Sequence, residues 1–175
     1  LPATEQRLLE VQEELDAPEW YDAQFTACDA IAPQLNIMLT DVEDFPKINE
    51  LAQALQELKA SGQLTKFKAV VDATQCESLD DVFDRLEKLP QYCFETKIRD
   101  RDALVRDELK FVLGGKDADL IYKHLNRDAY AEDVLKQYGA ELTPYGMINR
   151  TDFGPLHEPI PKQRQEQKQE PQMGM

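Results

Sequence analysis

Apolar residues recur along this chain at two spacings, and each change of spacing marks the edge of an element. Leu8, Leu9, Val11 and Leu15 hold helical spacing behind Thr4, a hydroxyl suited to capping a helix start, and the run stops before Pro18. The other face of that helix carries Glu10, Glu13 and Glu14. From Trp20 to Ala27 the pattern becomes strict alternation, Tyr21, Ala23, Phe25 and Ala27 against Trp20, Asp22, Gln24 and Thr26; this predicts a half-buried strand in preference to a helix. Pro46, with its fixed backbone angle, opens a second amphipathic helix through Ile48, Leu51, Leu55 and Leu58. Past Gly62, the spacing of Leu64, Phe67, Val70 and Val71 predicts a short apolar helix. Ser78 is placed to cap the next helix, which carries Leu79, Val82, Phe83, Leu86 and Leu89 up to Pro90.

The second half of the chain is read in the same way. Tyr92 to Ile98 predicts a short strand, and Asp102 to Leu113 a helix ended by Gly114 and Gly115. Leu120 to Leu125 and Ala129 to Tyr138 predict two more helical stretches, the latter closed by Gly139. Glu141 and Leu142 are expected to pair with Met147 and Ile148 across a turn at Pro144 and Gly146. Helices interleaved with a few short strands predict an α+β fold, made of two to three small helix-rich units with short strands arranged end to end. The expected divisions are an acidic N-terminal α/β unit over 1–45, a helix-rich middle domain over 46–113 and a small C-terminal α+β unit over 114–154. From Pro155 onward Pro, Gln, Lys and Glu predominate, which predicts a flexible tail over 155–175.

Composition agrees that the chain folds, since hydrophobic residues make up 42% of it. Charge narrows the partners. Thirty-four acids face 20 Lys and Arg, a formal net charge of -14, and such a chain repels nucleic acid and anionic membrane. Basic surfaces are the natural partners, unless the charge serves only solubility. The excess is local: residues 1–58 hold 13 acids with only Arg7 and Lys47 as bases, whereas residues 59–113 hold 11 acids and 10 bases. No apolar run approaches the roughly 20 residues of a membrane-spanning helix, and the start lacks a basic-then-apolar signal pattern, so a cytoplasmic location is expected. Because the chain begins on Leu1, it reads as a trimmed or processed product.

Candidate chemistry is sparse. Cys28, Cys76 and Cys93 are odd in number and widely spaced, which fits buried free thiols better than a disulfide framework or a zinc site. His124 and His157 stand apart from any metal-ligand spacing, and a structural role for His124 is favoured over that of a base for a cysteine nucleophile. Gly114 and Gly115 lack the later Gly, Lys and Ser or Thr of a phosphate loop, so a helix end is the simpler reading. Paired acids (Glu13 with Glu14, Asp80 with Asp81, Glu132 with Asp133) read as solvated helix exteriors, with Asp80 and Asp81 complementing a helix dipole. No cofactor, metal or catalytic residue is expected.

Three stretches carry a resemblance: the helix INELAQALQEL over Ile48 to Leu58; ESLDDVFDRLEKL over Glu77 to Leu89 with Tyr92 and Phe94 behind it; and LNRDAYAED over Leu125 to Asp133 with Leu142, Tyr145 and Gly146. Together they resemble the ArdA-type antirestriction proteins, elongated acidic dimers of conjugative elements and phages that mimic DNA. Where that family has Gly-Arg after the tyrosine, this chain has Ala131 and Glu132, and its middle segment is the mixed-charge Lys97, Arg99, Asp100, Arg101 and Asp102.

The resemblance implies a non-enzymatic inhibitor, a homodimer in the family manner, that occupies the basic DNA-binding channel of a type I restriction-modification enzyme. It implies neither cofactor nor direct nucleic-acid binding. The expected acidic surface is Glu10, Glu13, Glu14, Asp16, Glu19, Asp22, Asp41, Glu43 and Asp44. Duplex DNA carries one charge per about 1.7 Å, so a dimer of such a chain would match about 14 base pairs, or about 48 Å. The rival expectation is a non-enzymatic accessory or scaffolding protein of a mobile element, with an ArdA-like fold and charge that confers only solubility.

Overall fold

The computed structural model describes residues 2–16, 19, 32, 35, 45–158 and 160. The strand expected over Trp20 to Ala27 lies outside the described residues. Among them are seven α-helices and three strands. The helices are α1 (Glu5–Leu15), α2 (Phe45–Ala60), α3 (Leu64–Thr74), α4 (Leu79–Glu87), α5 (Arg101–Leu113), α6 (Gly115–Tyr122) and α7 (Arg127–Tyr138). The strands are β1 (Tyr92–Glu95), β2 (Glu141–Thr143) and β3 (Gly146–Arg150). The class is α+β.

The strands form one antiparallel sheet in the order β1-β3-β2. The predicted hairpin forms in its predicted register, Glu141 opposite Ile148 and Leu142 opposite Met147. The second edge of β3 takes β1, with Tyr92 opposite Arg150 and Glu95 opposite Met147. Segments from either side of residue 114 thus share one sheet. A Cβ on Gly146 would stand 2.5 Å from the Glu95 carbonyl oxygen, so the hairpin approaches β1 this closely only with glycine there.

Successive strand residues face opposite sides, and this sheet supplies two cores. On one side Tyr92, Phe94 and Ile148 pack with Leu51 and Leu55 of α2, Phe67 and Val70 of α3, and Val82 of α4. Helix α3 lies against all three strands. On the other side Leu142 and Met147 pack with Ile98, with Leu104, Val105 and Leu109 of α5, and with Ala131 and Val134 of α7.

Local chemistry explains most element ends. Thr4, Ser78, Asp100 and Asn126 cap α1, α4, α5 and α7 by accepting from a backbone N–H three residues on. At Ser78 the exchange is reciprocal: its hydroxyl accepts from the Asp81 N–H at 3.1 Å, and Asp81 Oδ2 accepts from the Ser78 N–H at 3.0 Å. The hydrogen bond from the Ser78 hydroxyl holds the Asp81 carboxyl below its ordinary range.

Three expectations are corrected. The strand at Tyr92 ends at Glu95, whose pairing with Met147 is the last of the β1–β3 register; the chain turns there, with the Lys97 N–H bonded to Glu95 Oε1 at 3.0 Å. Gly114 alone ends α5, at φ 77°, and Gly115 is already the first residue of α6. Helix α6 therefore runs over 115–122 in place of 120–125; it turns Ala118 inward and leaves Leu120 and Ile121 exposed.

Past β3 the chain is organised by a buried arginine. Arg150 is 3% exposed. Its guanidinium donates through Nε and Nη2 to Asp152 Oδ1 and Oδ2 at 2.8 and 2.5 Å, and through Nη1 to the carbonyls of Pro155 and Glu158 at 3.0 and 3.1 Å. The loop so held delivers Leu156 and Ile160, both in the stretch read as tail, into the first core. Arg150→Met removes the partner of one carboxylate and two carbonyls at once. It is expected to lower unfolding free energy by about 3 kcal/mol in a urea titration.

The Asp81 shift sets a pH dependence. A folded pKa below the unfolded one gives stability that is complete above the ordinary value of 3.8 and is lost as pH falls through the folded value. Asp81→Asn should therefore melt below wild type at neutral pH, and the difference between their Tm values should close in acid.

Candidate functional site

The expected acidic surface begins on α1. Glu10, Glu13 and Glu14 fall within an arc of about 100° around a helix axis, and all three are exposed. Helix α1 has no basic residue in its last turn to offset the carboxylates there. Arg7 supplies that offset from nearer the start of the helix, through Nη1 to Glu10 Oε2 and to Glu14 Oε1, each at 3.1 Å. Those two carboxylates, Glu10 first, hold the Arg7 proton more tightly than usual. Glu13 and Asp16 form no ion pair among the described residues. Asp16 ends the helix in the left-handed region, at φ 52°, a conformation that short acidic side chains tolerate. Glu19 is exposed beyond it. Asp22, Asp41, Glu43 and Asp44 lie outside the described residues.

Helix α1 buries no residue, and Leu9 and Leu15 are each 57% exposed. Among the described residues Asn49, buried in α2, tethers the start of this segment to the fold. Asn49 Oδ1 accepts from the Ala3 N–H at 2.6 Å, and Nδ2 donates to the Ala3 carbonyl at 2.9 Å. One side-chain amide thus satisfies both backbone groups of a residue just ahead of the acidic helix.

Ion-paired acids also occur in the rest of the described fold. Asp102 accepts from Arg106 Nε at 2.9 Å, from Arg127 Nη1 at 3.3 Å and from the Tyr122 hydroxyl, and the Arg106 hydrogen bond leads in holding its carboxyl low. Asp84 pairs with Arg85 and Lys88, and Asp80 with Lys47. Glu132 and Asp133 are exposed.

The residues weighed for chemistry are not gathered. His124 is exposed, His157 sits at the surface 2.8 Å from Glu141, and among the described residues no group of three His, Cys, Asp or Glu could hold a metal ion. The expectation of buried thiols is corrected at Cys93, which is exposed, and at Cys76, which is half-buried. Alternation in β1 puts Tyr92 and Phe94 into the first core and so turns Cys93 to the sheet's other face. Burial nonetheless pushes the Cys76 thiol up. No helix of the described residues is long and apolar enough to cross a membrane.

That other face also holds a feature outside the expected acidic surface. Between the sheet and α5 lies an open recess of about 360 Å³, floored by Met147 and edged by Asp107, Glu108, Phe111, Tyr138 and Phe153. Phe111 is 83% exposed and Phe153 57%. A signal for it stood in the sequence: Phe111, Val112 and Leu113 are consecutive, and successive helix residues point about 100° apart, so a single core cannot bury all three.

Comparison with protein-family models, with curated proteins and with solved structures finds no match to this chain.

The tether at Asn49 can be tested directly. Asn49→Ala should expose the backbone ahead of α1 and raise the rate of limited proteolysis within residues 2–16 several-fold. The loss of unfolding free energy should stay at about 1–2 kcal/mol.

Proposed function

We propose that this chain is a non-catalytic, cytoplasmic antirestriction protein. In this reading its acidic N-terminal surface imitates the phosphates of DNA and occupies the basic DNA-binding channel of a type I restriction-modification enzyme. The observation that carries it is the strip of Glu10, Glu13 and Glu14 on one side of α1, a helix that buries none of its own residues. That strip belongs to the segment with 13 acids and two bases. Such a helix has little role in packing, and its charge is turned outward, where a cationic channel could meet it.

Carboxylates one helical turn apart are separated by about 5.4 Å, against one phosphate charge per about 1.7 Å in duplex DNA. A single helix is therefore too sparse a mimic. The reading needs a second acidic element beside α1 and an elongated homodimer in which small units follow end to end. Catalysis has little support in the recess, a concavity that carries carboxylates. Asp107 and Glu108 line it beside apolar and aromatic side chains, with no histidine among the lining residues.

The rival, an accessory or scaffolding protein of a mobile element, draws on the ion pairs of α4, α5 and α7, where acids are balanced by bases instead of being offered to a partner.

Competition separates the two. Purified protein should displace duplex DNA from a type I restriction-modification complex at low salt, and its apparent affinity should fall steeply as salt rises. The Glu10→Gln, Glu13→Gln, Glu14→Gln triple variant should lose about tenfold in affinity while keeping its Tm. Failure to displace DNA at high micromolar protein and low salt would sink the antirestriction reading and favour the accessory role.

A further inference from the structure

The recess between β3 and α5 combines three properties. Its floor is apolar, with Met147 only half-buried there. Its mouth is aromatic: Phe111 stands 83% exposed, and Phe153 leans on Tyr138 with ring centroids 6.0 Å apart. Its rim is anionic, since Asp107 and Glu108 line it and neither forms an ion pair among the described residues. Glu108 accepts only from the Tyr138 hydroxyl, at 3.3 and 3.4 Å through its two oxygens. Elsewhere on α5 the acid Asp102 is matched by two arginines. Among the described residues the recess thus has carboxylates without an ion pair beside the exposed ring of Phe111.

We propose that this recess is a docking site for an arginine side chain presented by a protein partner. An arginine fits each property in turn. Its three-methylene stem covers an apolar floor while the head stays polar. The planar guanidinium stacks on aromatic faces more readily than a hydrated ammonium does, and its fork donates to carboxylates in pairs. A purely apolar occupant would strand Asp107 and Glu108 away from water. A bare cation without a stem would leave Phe111 and Phe153 wet. The volume of about 360 Å³ admits one such side chain with part of its backbone. The site lies on α5, β3 and the loop after it, apart from the carboxylates of α1. It would add short-range selection among basic partners to the attraction that net charge supplies, and it does not depend on the antirestriction reading.

The test uses the full chain, labelled with ¹⁵N, and two probes of nearly equal shape: acetyl-Gly-Arg-Gly-amide and its neutral citrulline counterpart. The arginine peptide should shift the amides of residues 107–111, 147–149 and 153 in a saturable way at low millimolar concentration, and citrulline should bind about tenfold more weakly. Phe111→Ala, at an exposed position, should weaken the arginine peptide about fivefold with Tm unchanged, and Asp107→Asn with Glu108→Gln should reduce it to the level of citrulline. The Glu10, Glu13 and Glu14 triple variant should bind it as wild type does, so failure of the α1 proposal leaves this one standing. Equal binding of the two peptides, shifts confined to α1, or no shifts at about 5 mM peptide would overturn it.

Discussion

Strand β3 is bonded on both edges, and this double pairing is the constraint from which the remaining architecture follows. With β1 on one side and β2 on the other, its backbone groups are satisfied within the sheet. Its side chains then alternate between two helical layers: Ile148 enters the core built by α2, α3 and α4, and Met147 enters that built by α5 and α7. A slip of one residue would exchange the two sets. Register is held against that slip by the close approach of Gly146 to the Glu95 carbonyl and by Arg150, whose guanidinium ties the end of the strand to the loop behind it.

The same constraint distributes the surface. Because β1 sends Tyr92 and Phe94 to the first core, Cys93 must face the opposite side, beside the recess. The second layer covers that side only in part, with α5 leaving Phe111 outside both cores. Helix α1 stands at the other extreme. Among the described residues it shares no buried residue with either core, and the Asn49 amide holds Ala3 just ahead of it. Acidic side chains concentrated on the least integrated helix can be selected for a partner without destabilising the sheet.

Much of this order was legible in the chain itself. Thr4 and Ser78 are short polar side chains placed before apolar runs, and their capping geometry is local, so reading them required no tertiary information. The hairpin was legible for a similar reason: Pro144 and Gly146 restrict the turn, and the turn sets the register of Glu141 and Leu142 against Met147 and Ile148. Gly115 and the end of β1 were misread because each depends on a neighbour distant in sequence or on the fold of the next helix, and apolar spacing carries neither.

Local spacing and side-chain chemistry, which act over a few residues, determined the helices, their caps, the hairpin register and the one-sided acidity of α1. The tertiary structure alone decided that β1 joins the hairpin, pairing Glu95 with Met147 and Tyr92 with Arg150, and that Arg150 is buried and paired with Asp152. It also decided which apolar residues were left over, because the number of residues a core can cover is a property of how its layers meet. Phe111 and Met147 each satisfy helical or strand periodicity, yet they frame an open recess. Whether an apolar position is covered depends on the element packed above it, and that element lies elsewhere in the chain.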